Sequence, residues 1–190
     1  AWYLRRSPRF ADLGLFTRFD PPRWAPIRDL LRLGLPMGVS VFMEGSLFVA
    51  TALLVGTLGT TQMAAHQIAI LMASLCFMVP LGVAMATTVR VGHAVGAGDL
   101  PGVRWSAAAG YALALLAQTV SATLLVAGAA WLASLFTTDA AVVALASLLM
   151  AYAAVFQYPD GLQALSAGAL RGMKDTRVPM VITVLAYWGL

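Results

Sequence analysis

Two carboxylates stand where hydrocarbon should exclude them: Glu44 lies inside the apolar run SVFMEGSLFVATALLVG and Asp160 inside AVFQYPDGLQALSAGAL. An ionised carboxylate deep in a membrane span costs on the order of 2.5–3.5 kcal/mol, so it needs a positive partner, a proton or a metal cation. No Lys or Arg falls within the apolar segments that surround the pair. The partner must then come from chain outside these segments, or the pair titrates, or it binds a cation. On a helix, Ser40, Glu44 and Thr51 share one side with Phe48 beside them, while Gln157 and Gln163 make a polar arc with Asp160. Pro159 removes a backbone donor next to Asp160 and frees carbonyl oxygen. Hard oxygens at a disturbed helix suit Na+, and Glu44 and Asp160 are its expected ligands. The competing explanation is interhelical packing beside Gly45 and Gly161, which does not account for two acids without a base.

Other chemistry finds less support. The single Cys76 sits in LMASLCFMVP and offers neither a disulfide nor a cysteine-rich metal site. GHAVGAGD lacks the Lys-Ser/Thr ending of a phosphate loop and reads as a cytoplasmic turn. His66 and Gln67 in AAHQIA mark a helix end that solvent would ordinarily reach. An aspartyl protease would need a second motif that QYPDG does not find, so no enzyme, catalytic residue or cofactor is expected.

The elements that position these residues are membrane spans. With 61% hydrophobic and 11% charged residues, the chain lacks the charged surface of a soluble domain, and mean hydropathy is +0.84. Apolar segments at 33–58, 64–89, 107–136 and 140–170 are each long enough to cross a bilayer. A further one, 179–190, is too short, so the chain reads as a piece of a longer protein. The fold class is therefore all-α, a polytopic transmembrane helical bundle. Residues 1–32, with seven arginines and the breaker DPPRWAP, read as an interfacial linker with amphipathic character, in contact with membrane lipids.

All twelve basic residues fall in alternate connections: before 33, at Arg90 and Arg104, and at Arg171, Lys174 and Arg177. Basic loops stay on the cytoplasmic side, which makes residues 1–32 cytoplasmic in a multi-pass protein of the plasma (inner) membrane. The net charge of +4 thus reflects topology, and no basic domain is left over for nucleic acid.

The segments LGLPMGVSVFMEGSLF, AAHQIA, PLGVAMATTVRVGHAVGAGD and ALRGMKDTRVP, in this order, resemble the multidrug and toxic compound extrusion (MATE) family in its NorM-like branch. The resemblance implies a twelve-helix transporter of two six-helix lobes. This chain would supply the interlobe linker, helices seven to ten and part of eleven, with the missing N-terminal lobe as its partner. It implies that Glu44 and Asp160 bind the coupling ion, Na+ or H+. Phe48, Gln67 and Asp139 would lie on the path of small organic cations, although Asp139 in TTDAAV equally fits a helix N-cap. Relatives often carry Tyr where this chain has Phe156 and Phe77, which removes two hydroxyls and tilts the expectation towards H+.

The expected function is secondary active multidrug efflux, a cation antiport exporting amphipathic, mostly cationic compounds. Alternatives are a lipid-linked precursor flippase of the same superfamily, which would want a more cationic cavity, and a structural membrane subunit without transport of its own.

Overall fold

The computed structural model describes residues 23–189. Residues 1–22, most of the expected interfacial linker, lie outside them. Helices occupy nearly all of the described chain: α1 (Trp24–Gly56), α2 (Thr60–Gly96), α3 (Leu100–Ala127), the short α4 (Ala129–Ser134), α5 (Ala140–Gly172) and α6 (Arg177–Trp188). Four of them, α1, α2, α3 and α5, are long and apolar enough to cross a membrane. The chain divides into one unit up to Gly34 and a second from Leu35 onward, and the bundle belongs to the second.

Hydropathy located the helices, and local chemistry sets their ends. α1 begins at Trp24, well before 33, because Pro26 falls in its first turn, where a missing backbone N–H costs nothing. α3 begins at Leu100 rather than 107: the Asp99 side chain accepts from Gly102 N at 2.9 Å, and proline follows in the first turn. The expected segment 107–136 is divided at Gly128, beyond which the six-residue α4 continues. α2 runs for 37 residues, roughly 56 Å at 1.5 Å per residue, so its ends project beyond a hydrocarbon layer of about 30 Å. The connection expected over 90–105 narrows accordingly to 97–99, and Gly92 to Gly96 of the expected turn GHAVGAGD continue α2 instead. Helix α5 is continuous through Pro159.

The bundle centres on α2, α3 and α5. Small residues let α2 and α5 approach closely: a Cβ added to Gly168 would lie 2.8 Å from the Ala84 carbonyl oxygen, and one on Gly172 would lie 2.7 Å from that of Thr88. Thr88 Oγ1 donates across this contact to the Gly168 carbonyl at 2.8 Å. Between α3 and α5, Gln118 Nε2 donates to the Gln157 carbonyl, and the Tyr111 and Ser166 hydroxyls bond at 2.6 Å. Ala65, Ala69, Ala133, Ala146 and Met150 fill the apolar core nearer the α5 N-terminus. Helix α1 has no buried residue; its residues line cavities shared with α2 and α5.

Candidate functional site

Glu44 on α1 and Asp160 on α5 are brought together. Both are half-buried and both line two cavities, one of about 430 Å³ and one of about 370 Å³. The two cavities share four lining residues, Glu44, Phe48, Phe77 and Asp160. Away from these four, the larger cavity extends to Arg171, Thr176 and Pro179 around the α5–α6 connection. The smaller extends to His66 and Leu149, near the starts of α2 and α5. Along α5, Leu149 and Arg171 each stand eleven residues from Asp160, roughly 16 Å to either side. The carboxylates therefore lie where the two cavities meet, with the lining of each cavity extending towards a different end of α5.

The surroundings are aromatic and oxygen-bearing. Phe48, Phe77, Phe156 and Tyr187 line the smaller cavity with the two acids, and aromatic faces near carboxylates favour an organic cation. Gln163 lines the larger cavity, one helical turn from Asp160, and its Nε2 stands 3.0 Å from the Tyr187 hydroxyl. Among the described residues no group of three or more His, Cys, Asp or Glu side chains gathers. A cation bound here would take its oxygens from the two carboxylates and from neutral groups such as Gln163 and Tyr187.

The other residues expected from sequence separate into two groups. Phe48 is on both cavity walls. Gln157 touches the smaller cavity, but its amide turns towards α3, where Oε1 accepts from Ser121 Oγ at 2.8 Å, and it is 7% exposed. Its first duty is to join helices. Tyr158 likewise reaches α3, donating to Thr119 Oγ1 at 3.2 Å. Gln67 is exposed and lies on neither cavity wall. Asp139 caps α5, accepting from Ala141 N at 2.8 Å. It stands roughly 31 Å along the helix from Asp160.

Three site residues escaped the sequence reading. Tyr187 falls in the last apolar segment, where the spacing Pro179, Thr183, Tyr187 would have marked a single helix face. His66 is not simply a solvated helix end: its Nε2 is buried without a hydrogen-bond partner, on the wall of the smaller cavity. Arg171 lies just past the apolar segment and still lines the larger cavity, with its Nε donating to the Ala167 carbonyl at 3.1 Å. A basic group thus faces the same space as the acids, from its far end.

A family model described as MatE matches residues 36–190. The chain is 61% identical over its whole length to a protein of Xanthomonas campestris pv. campestris named "Probable multidrug resistance protein NorM", of which it covers 42%. It is 46% identical, again over its whole length, to "Multidrug resistance protein PmpM" of Pseudomonas aeruginosa, covering 40% of that protein. A "Probable multidrug resistance protein NorM" of Rhizobium meliloti is 44% identical over 99% of the chain, which covers 41% of it. The chain spans about two fifths of the length of the curated relatives it matches.

Proposed function

From the premise that this chain belongs to the MatE family and is part of an integral membrane protein, we propose that it forms most of the second lobe of a cation-coupled multidrug efflux transporter. The transporter exports amphipathic, mostly cationic organic compounds in exchange for inward Na+ or H+. Its place is the plasma (inner) membrane, with residues 1–32 on the cytoplasmic side. The observation that carries the reading is the pair Glu44 and Asp160, set where two cavities meet and lining both.

Two carboxylates in this position are costly when both are charged, so the state with a bound cation is favoured over the empty one. A coupling ion neutralises them from one side of the membrane, and an organic cation seated against Phe48, Phe77 and Phe156 competes for the same negative charge. Each ligand biases the lobe arrangement it fits best, and their mutual exclusion converts the ion gradient into export. The loss of hydroxyls at Phe156 and Phe77 does not empty the site of neutral oxygens, because Tyr187 and Gln163 supply them. Both Na+ and H+ therefore fit. The flippase alternative asks for a cationic cavity, and the one Lys or Arg on these walls, Arg171, stands opposite two acids.

The test is transport by the full-length protein in liposomes. An imposed Na+ or pH gradient should drive accumulation of a fluorescent aromatic cation, and the same gradients should leave an anionic lipid-linked cargo unmoved. Transport of the anionic cargo alone would overturn the reading.

A further inference from the structure

Helix α1 carries Glu44 yet buries no residue, so something beyond core packing must hold that carboxylate towards α5. Its own polar side chains turn inward: Ser40, Ser46 and Thr51 all donate to carbonyls of α1 itself. Among the described residues, the hydrogen bond joining α1 to another helix comes from α6, where Trp188 Nε1 donates to the Met43 carbonyl at 3.3 Å. Met43 immediately precedes Glu44. The neighbouring residue on α6, Tyr187, places its hydroxyl across the Gln163 amide, 3.0 Å from Nε2 and 3.3 Å from Oε1. Gln163 follows Asp160 by one helical turn.

Two consecutive side chains of α6 thus reach two different helices, each beside one of the two acids. Thr183, one turn earlier on α6, is buried and lines the larger cavity, which fixes the face that α6 presents. The proposed antiport takes a neutral oxygen of Tyr187 from this helix but gives it no part in holding α1 and α5 together, and gives Trp188 none at all. We propose that Tyr187 and Trp188 act as a latch that positions the two coupling carboxylates: Trp188 sets the depth and rotation of α1 at Glu44, and Tyr187 holds Gln163 beside Asp160. The proposal rests on Glu44 and Asp160 being the coupling pair. Tyr187 and Trp188 are positioning residues, and their effect is on the affinity for the driving ion. An ion that takes an oxygen from Gln163 competes with the Tyr187 hydroxyl for that same oxygen. Ion occupancy and the latch are therefore linked, and α6 would report the state of the site.

The experiment uses the full-length protein in liposomes, with Tyr187→Phe, Trp188→Phe, Gln163→Leu and the Tyr187→Phe/Gln163→Leu double variant at matched incorporation. Efflux is measured against a titrated Na+ or H+ gradient, whichever drives the parent protein. Each single variant should raise the ion concentration for half-maximal efflux about three- to tenfold, the size of one net hydrogen bond, and Trp188→Phe, which removes no oxygen from the site, should do so with the rate at saturating ion within about twofold of the parent. The double variant should be no worse than its more affected single parent. An unchanged half-maximal concentration would overturn the latch, as would a loss of rate that is the same at every ion concentration. Glu44→Gln run in parallel separates the two claims: full ion-driven efflux there refutes the coupling pair, whereas its loss with normal ion dependence in the α6 variants refutes the latch alone.

Discussion

Gln157 and Gln163 stand within two helical turns of one another on α5 and should respond differently to the same change. In Gln157→Leu the bond of good geometry that disappears is the one from Ser121 Oγ at 2.8 Å, since the contacts of Gln157 Nε2 with the Gln118 and Ala154 carbonyls are long, at 3.4 and 3.3 Å. The bond from Gln118 Nε2 survives because it ends on the Gln157 backbone carbonyl, and Ser121 retains the Gln118 carbonyl as acceptor at 3.1 Å. Interhelical hydrogen bonds in membranes average about 0.6 kcal/mol and reach about 1.7 kcal/mol. The folding equilibrium of Gln157→Leu should accordingly fall about three- to sixteenfold, with the ion dependence of efflux unchanged. Gln163→Leu should show the converse: nearly normal thermal stability in detergent, because its partner is a half-exposed tyrosine, and a weakened response to the driving ion. Thermal melts and ion titrations of the two purified variants make the comparison. A Gln157→Leu protein of normal stability that has lost its ion response would refute the division of the two glutamines.

Two further outcomes are expected. In a Cys76→Ala background, cysteines at Thr60 and Thr137, which lie at turns or helix ends, should react with an impermeant thiol reagent outside intact cells, while those at Ala97 and Met173 should not; the reverse pattern would overturn the orientation. Phe156→Tyr adds a hydroxyl beside the acids and should strengthen the efflux response to Na+ relative to that to a pH gradient, so an unaltered ratio of the two would show that this position does not face the ion.

Hydropathy located the spans, because 18 or more apolar residues in a row have few other uses. Helix ends were less legible: the cap at Asp99, the proline in the first turn of α1 and the break at Gly128 lie where hydropathy changes little, so the ends had to be read from caps and breakers instead. Glu44 and Asp160 were legible because an unpaired acid in hydrocarbon demands an explanation that no neighbouring residue provides. The amides were not. A glutamine three residues before Asp160 and one three residues after it look alike along the chain, and only the packing of α3 against α5 draws Gln157 away to Ser121. Tyr187, His66 and Arg171 were missed for a related reason: each sits near an end of a segment, where a polar residue looks ordinary, and each reaches the cavities through tertiary placement.

The central claim, that Glu44 and Asp160 act as one ion-coupling site, is tested most directly by efflux from liposomes holding the full-length protein as Glu44→Gln, as Asp160→Asn and as both together. Each single change should abolish ion-driven efflux while leaving protein levels normal, and the double change should be little worse than either, as expected of groups that work as a unit. Full efflux in both single variants would contradict the account.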